Sequence, residues 1–170
     1  MKTRAEARDY ILESAQNKRR GDNLMAVKGV PQGYHTITPY FSVKNVHGFI
    51  EFLKKAFDAK VEVHAMPDGT VLNAQAQVGD SMVLIGQVPK DRPESELMPA
   101  MLYLYVEDAD AWYRNAIAAG AKSIMEPRDQ FYGDRAGAVQ DLAGNQWWFA
   151  TRKEEMTSEE LVRRSMERRK

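Results

Sequence analysis

The chain has 170 residues, of which 44% are hydrophobic and 28% are charged, and its formal net charge is zero. This composition is typical of a globular protein, and the balanced charge does not favour nucleic acid or a membrane as a partner. The absence of cysteine excludes disulfides and thiolate metal sites. No apolar stretch reaches the about 20 residues of a membrane span, and the first residues lack the apolar core of a signal peptide. We therefore expect a cytoplasmic protein.

The two ends of the chain predict helices outside a central domain. Residues 1–30 form an N-terminal extension, with helix formers at about 3–19 and a Gly-Asp-Asn sequence that ends the helix. Residues 153–170 predict a C-terminal helix, in which Thr157 and Glu160 have the spacing of a capping box. The central domain is expected at residues 31–152.

The central domain contains the same pattern twice. YFSVKN, which begins at Tyr40, and YLYVED, which begins at Tyr103, share an aromatic residue, a valine and a helix-capping residue at an offset of 63 positions. Each precedes an amphipathic helical pattern and three strand-like segments. These segments are 61–66, 70–78 and 81–87 in the first copy and 123–128, 134–140 and 145–151 in the second. The repeat predicts an α+β fold of two βαβββ modules, at 34–88 and 100–151.

Strand alternation divides the side chains between a helix-covered face and a second face. The apolar set, which includes Phe41, Leu72 and Trp147, is expected to pack beneath the helices. The second face combines phenols, amides and an indole, which suit a planar or partly polar organic ligand. Its predicted ligand-binding residues are Thr38, Tyr40, Asn73, Gln75, Tyr103, Tyr105, Gln146 and Trp148, with Tyr132 and Arg135 at the rim. A half-solvated sheet or a dimer interface explains the same alternation equally well.

Several stretches resemble the PhnB-like branch of the glyoxalase/bleomycin-resistance/dioxygenase superfamily, which has the vicinal oxygen chelate fold. They are VPQGYHTITPYFSV, FIEFLKKAFDAK, LYLYVEDADAWYRNAIAAGA and DQFYGDRAGAVQDLAGNQWWFAT, and together they extend over residues 30–152. The resemblance implies paired modules around a cavity that homodimerisation often completes. It also implies, for members that catalyse reactions, one divalent metal bound by His and Glu side chains.

The positions that would supply those metal ligands hold other side chains here. The opening strands align Thr38 and Met101 with ligand positions, and the closing strand aligns Trp148. The branch often has His-Ala-Glu on its third strand and Gly-His after its last turn. This chain has Asn-Ala-Gln at 73–75 and Gly-Asn at 144–145. Amides are poor ligands for Zn²⁺, Ni²⁺ or Fe²⁺, so we expect no metal and no other cofactor, with a divalent metal as the disfavoured alternative.

Two residues are candidates for metal-independent acid–base catalysis, namely His35 at the cavity mouth and Asp134 in the FYGDR turn. The simpler interpretations are that His35 lies at a solvated strand end and that the charge of Asp134 holds neighbouring loops together by ionic contacts. The preferred hypothesis is a metal-free, homodimeric protein that binds and sequesters a small aromatic or amphipathic molecule. The open alternatives are a lyase, isomerase or dioxygenase-type enzyme of the same superfamily and an interaction module with a vestigial cavity.

Overall fold

A computed structural model describes residues 29–89, 91–93 and 96–168, and the predicted N-terminal helix lies outside these ranges. The chain divides after Gln32, and the second unit is Gly33–Lys170. The second unit contains, in chain order, β1 (Tyr40–Val43), α1 (Val46–Phe57), β2 (Lys60–Ala65), β3 (Val71–Val78), β4 (Ser81–Gln87), β5 (Met101–Tyr105), α2 (Ala109–Ala118), β6 (Lys122–Asp129), β7 (Asp134–Gln140), β8 (Gln146–Arg152) and α3 (Ser158–Glu167). Among the described residues, no helix is both long and apolar enough to cross a membrane.

Two four-stranded sheets repeat one topology, with strand orders β1-β4-β3-β2 and β5-β8-β7-β6. In each sheet the first strand runs parallel to the last, and the other neighbours are antiparallel. The predicted α+β fold of two βαβββ modules is therefore confirmed. Across the described ranges no strand pair joins one sheet to the other, so the two sheets do not close into a barrel.

The helices begin at residues whose side chains accept a backbone hydrogen bond. Asn45, Asp108 and Thr157 each accept from the N–H three residues later, at 3.0, 2.9 and 3.2 Å. Each bond satisfies one of the N–H groups that have no partner within the helix, and all three caps were predicted. The Glu160 carboxylate does not complete a capping box, because it accepts hydrogen bonds from the two arginines that follow in α3.

An aromatic cluster beneath the helices joins the two modules. Trp147 of β8 is 1% exposed, which confirms its predicted place in the core. Its ring centroid lies 5.4 Å from that of Phe41 and 4.8 Å from that of Phe57, both in the first module. Burial of a phenylalanine-sized side chain contributes about 1.5–3 kcal/mol, so these contacts are a substantial part of the stability that joins the modules.

One core prediction was wrong at the start of β3. Regular alternation placed Leu72 beneath the helices, but Leu72 is exposed and Val71 is buried. The register between β2 and β3 shifts at this point, since His64 pairs with Asn73 whereas the next residue, Ala65, pairs with Val71. An irregularity of this kind changes which residues of a strand face the core, and Val71 therefore occupies the position predicted for Leu72.

Candidate functional site

The side of each sheet that faces away from α1 and α2, called the open face below, presents aromatic rings to solvent. Tyr103 and Tyr105 of β5 are 44% and 62% exposed. Trp148 is partly exposed although its neighbour Trp147 is buried, so the predicted division of the two tryptophans between opposite faces is confirmed. Tyr40 of β1 is exposed in the first module.

A chain of hydrogen bonds crosses the open face of the first module. The Tyr34 hydroxyl donates to Gln75 Oε1, and Gln75 Nε2 donates to Glu62 Oε2 at 2.5 Å. Glu62 Oε1 lies 3.3 Å from His64 Nε2, and His64 Nδ1 lies 2.8 Å from Asn73 Oδ1. The two amides that were predicted to contact a ligand are thus engaged within the protein, where they orient Glu62 and His64.

A buried carboxylate organises the open face of the second module. Asp134 is 1% exposed, and its Oδ1 accepts a hydrogen bond from Arg152 Nε at 2.6 Å. Its Oδ2 accepts from the Tyr105 hydroxyl at 3.1 Å. The Arg152 guanidinium also lies 5.7 Å from the centroid of the Tyr105 ring, a cation–π distance. Both carboxylate oxygens are engaged, which fits a structural role for Asp134 better than acid–base catalysis.

The hydroxyl of Tyr103 is held in its neutral form. Partial burial raises its pKa, and a hydrogen bond with Tyr132 and the negative charge of Asp134 raise that pKa further. The Tyr103 ring packs edge-on against Tyr105, with centroids 5.5 Å apart, and its backbone pairs with Trp148 across the β5–β8 ladder. Tyr103 therefore offers a neutral phenol beside two further aromatic rings, and the predicted ligand role of Tyr132 stays a prediction.

A groove of 860 Å³ runs along β5. One wall is the continuous segment Leu102–Glu107, the facing wall includes the β3–β4 turn at Val78–Ser81, and the lining reaches the buried Trp147. The volume lies within the range of roughly 300–1,000 Å³ that small-molecule sites occupy. Because Tyr103 and Tyr105 line the groove and also belong to the open face, the two surfaces adjoin.

The predicted position of Arg135 at the rim of this site was wrong. Arg135 follows Asp134 in β7, and successive side chains of a strand point to opposite faces. Arg135 Nε and Nη2 donate to the two carboxylate oxygens of Asp110 on α2, at 2.5 and 2.8 Å, and Nη1 donates to Asp129 at 3.2 Å. These hydrogen bonds hold the pKa of Asp110 below its ordinary value. Arg135 fastens α2 to the sheet on the helix-covered side.

The remaining predicted residues have local partners. The Thr38 hydroxyl donates to the backbone carbonyl of His35 at 2.9 Å, and His35 itself is exposed. Gln146 Oε1 accepts a hydrogen bond from the Trp148 indole at 3.3 Å, which links the two predicted pocket residues of β8. The catalytic role of His35 and the ligand roles of Thr38 and Gln146 stay predictions.

Tyr40 depends on a glycine for its position. Its ring lies across Gly86 of β4, and a Cβ added to Gly86 would overlap the Tyr40 hydroxyl. The backbone of Tyr40 pairs with Leu84, two residues earlier on the same strand. Glycine at 86 therefore makes room for an aromatic ring that lies close to the sheet of the first module.

The donor set on the open face does not fit a divalent metal. In the part of the chain that the structure describes, no three His, Asp or Glu side chains converge as metal ligands. Glu62 and His64 supply two donors, but both ring nitrogens of His64 already face the oxygens of Glu62 and Asn73. A carboxylate or imidazole that completes the set is missing from these residues, so they do not form the site that the resemblance implies for catalytic members.

Four site residues were not predicted from the sequence. The last strand was predicted to end at residue 151, one position before Arg152. Had the alternation been extended by one residue, it would have placed Arg152 on the open face. Alternation along β2 would likewise have placed Glu62 and His64 together. Tyr34 gave no local signal, because its partner Gln75 is 41 positions away in the sequence.

The fold and the site together define a protein of two βαβββ modules with an aromatic open face and a groove of small-molecule size. The profile of the Glyoxalase/Bleomycin resistance protein/Dioxygenase superfamily matches residues 34–149, and the chain belongs to this superfamily. An uncharacterized protein of Mycobacterium tuberculosis strain CDC 1551 is 31% identical over 155 residues, which cover 85% of this chain and 88% of that protein.

Solved structures of other proteins share this fold. TioX from Micromonospora sp. ML1 superimposes with a TM-score of 0.60 at 20% identity, over 69% of this chain and 98% of TioX. The fosfomycin resistance protein FosX from Mesorhizobium loti gives a TM-score of 0.51 at 20% identity, over 75% of this chain and 97% of FosX. At these identities the similarity supports the fold of the chain and does not specify its ligand.

Proposed function

We propose that the protein binds a small aromatic or amphipathic molecule at the open face and groove of its second module, without a metal. The observation that carries this proposal is the set of three partly exposed rings, Tyr103, Tyr105 and Trp148, on adjacent strands beside the groove. Aromatic rings give a ligand contact area, and their hydroxyl and N–H groups fix its orientation. The Asp134–Arg152 pair holds Tyr105 before any ligand arrives, which reduces the ordering cost of binding.

Two further observations favour sequestration of the ligand over its chemical conversion. The described residues of the open face do not form a metal-ligand set, and both oxygens of the candidate acid–base residue Asp134 are engaged. The superfamily name includes bleomycin resistance, and a fosfomycin resistance protein shares the fold. These names fit a drug-like ligand and do not distinguish its binding from its conversion. We also propose that the chain belongs to the PhnB-like branch, because the stretches that resemble this branch occur in the same order over residues 30–152. Its cytoplasmic location, like the absence of nucleic-acid and membrane partners, remains a prediction from the sequence.

Replacement of Trp148 by alanine is expected to weaken ligand binding by about 1–3 kcal/mol, because a stacking wall of the open face is lost. The probes are metal-free bleomycin, fosfomycin and a panel of neutral and cationic bicyclic aromatic compounds. Isothermal titration calorimetry with and without EDTA measures the affinity, and chromatography of the incubated probe detects any product. We expect unchanged affinity in EDTA and an unaltered probe.

Trp148→Phe is the matched control, because phenylalanine retains an aromatic ring and should retain most of the affinity. Equal affinity of Trp148→Ala and the wild type would remove Trp148 from the site. Loss of binding in EDTA that returns with one added metal ion, or a converted probe, would make the enzyme hypothesis the leading one.

We also propose that the protein is a homodimer. Large apolar side chains of the open face are exposed in the single chain, with Met101 at 62%, and apolar patches of this kind mark sites of association. Light scattering after size exclusion is expected to give twice the chain mass, and Met101→Glu is expected to lower it. Leu142→Glu is the matched control, because Leu142 is as exposed but lies in the β7–β8 turn. A wild-type protein that is monomeric at every concentration tested contradicts the proposal.

A further inference from the structure

The outer edge of β5 has hydrogen-bonding groups available along the groove. β5 is the terminal strand of its sheet, and within the described ranges it pairs with β8 alone. The carbonyl of Ala100 and the N–H of Val106 both bond to β8. Alternate residues of a strand bond to one neighbour in a parallel ladder, so the even-numbered positions serve β8. The N–H and C=O groups of Met101, Tyr103 and Tyr105 consequently point away from β8.

The groove surrounds this edge with side chains of two kinds. Leu102 and Leu104 lie on the helix side of the strand and Tyr103 and Tyr105 on the open side, and all four line the groove. An extended chain that lies beside β5 would therefore meet backbone partners along its length, an apolar surface on one side and phenols on the other. Strand addition to a sheet edge combines these elements, since the main chain gives affinity and the side-chain pockets give specificity.

The dimensions of the groove fit one short strand. The five residues of β5 extend over about 17 Å at the rise of a β-strand. The facing wall, which includes Val78–Ser81, comes from the same chain, so a molecule in the groove lies between two parts of one protein. A volume of 860 Å³ is that of a small-molecule site.

The charges of the groove favour an amine over an acid. Its charged lining residues are Asp80, Glu107 and Arg152. Arg152 is bonded to the buried Asp134 at 2.6 Å, and this carboxylate compensates its charge. Asp80 and Glu107 then give the groove an acidic character, which complements a protonated amine.

We propose that the groove along β5 binds a short, extended, peptide-like molecule with a free amine, through backbone hydrogen bonds to Met101, Tyr103 and Tyr105. This inference rests on the proposed function and specifies the chemical class of the ligand. It adds a requirement that stacking alone does not impose, namely that alternate amide groups of the ligand face the strand.

The first test uses the wild-type protein and the pentapeptide amide Ala-Tyr-Val-Tyr-Ala with a free amino terminus. Two N-methylated versions are compared with it by calorimetry, one methylated at the second and fourth residues and the other at the third and fifth. Only alternate amides of a strand face its neighbour, so one version is expected to bind at least tenfold more weakly than the other. Equal effects of the two methylation patterns overturn the inference. Binding of aromatic probes without binding of any of the three peptides also overturns it, and leaves the proposed function standing.

The second test changes the protein and compares Tyr103→Ala with Tyr103→Pro. Both variants lose the phenol, but only proline removes the outward N–H, and an edge position whose N–H does not serve the sheet tolerates proline. Tyr103→Pro is expected to bind the pentapeptide at least tenfold more weakly than Tyr103→Ala, with circular dichroism confirming that both are folded. Equal affinities overturn the proposed pairing at this residue. A change in sedimentation that is confined to the proline variant overturns it too, because a second copy would then occupy the edge. The methylation test does not depend on the folding of either variant.

Discussion

Replacement of Asp141 by alanine is expected to lower the free energy of unfolding by about 3–4 kcal/mol. Asp141 is 6% exposed and lies in the β7–β8 turn. Its Oδ1 accepts from the backbone N–H groups of Ala143 and Asn145 at 2.8 and 3.0 Å. Its Oδ2 accepts from Asn145 Nδ2 and Trp147 Nε1 at 2.9 and 2.8 Å. Alanine leaves these donors without an acceptor, and each buried unsatisfied donor costs about 1–3 kcal/mol before the site relaxes.

The Asp141→Ala substitution is also expected to disturb the ligand site, because Asn145 Oδ1 accepts a hydrogen bond from the N–H of Ala100 at 2.9 Å. Asp141 thus connects the β7–β8 turn to the residue that precedes β5, which carries Tyr103. Urea unfolding followed by circular dichroism measures the loss, and a fall in the midpoint at constant m-value assigns it to the folded state. Weaker ligand binding in the same variant would show that the turn positions β5.

Two further substitutions separate the contribution of the carboxylate from that of any turn aspartate. Asp141→Asn keeps the shape but has one acceptor oxygen instead of two, so it is expected to recover only part of the loss. Asp68→Ala removes an exposed turn aspartate that accepts from the Thr70 N–H at 2.9 Å, and we expect a change close to the error of the measurement. If Asp141→Ala were no more destabilising than Asp68→Ala, the hydrogen-bonded cluster would not be a stability determinant.

The fold was predictable because its signals are local and occur twice. The capping residues Asn45 and Asp108 mark the start of equivalent helices, and strand alternation separates Trp147 from Trp148. Helix starts and the facing of strand side chains depend on the backbone of one segment at a time. The residue pattern of that segment is therefore enough to predict them. The failure at Leu72 shows the limit of this reasoning, since a register shift against another strand is invisible within the strand itself.

The site was less predictable because partners across the sheet decide what each side chain does. Alternation correctly placed Asn73 and Gln75 on the open face, but it did not indicate that His64 and Glu62 would engage their amides. Arg135 was assigned to the ligand site because it lies in a turn with charged neighbours, and its partner Asp110 belongs to a helix 25 positions earlier. Polar side chains have several possible partners in a folded chain, whereas apolar ones need only a buried face.

The second large effect is expected at Asp134, where replacement by alanine should cost about 2–3 kcal/mol of stability and also weaken ligand binding. The Tyr105 hydroxyl loses its buried acceptor, and the Arg152 guanidinium loses the carboxylate that holds it over the Tyr105 ring. Tyr105 then becomes free to change rotamer, and a ligand must pay the cost of ordering it. Urea unfolding measures the stability, and titration with the aromatic probes measures the affinity.

The order of three related variants identifies the cause. Arg152→Met leaves the Asp134 carboxylate buried without its cation, whereas Asp134→Asn leaves Arg152 half-exposed, where water hydrates the guanidinium. Arg152→Met is therefore expected to be the more destabilising single change, and adding Asp134→Asn to it should restore stability. Arg163→Met, which breaks surface pairs with Glu160 and Glu167 on α3, should have little effect. If the Arg152 and Arg163 variants were equally stable, burial of the Asp134 carboxylate would not require its ion pair with Arg152. The Asp134–Arg152 pair would then not explain how Tyr105 is held in place before a ligand binds.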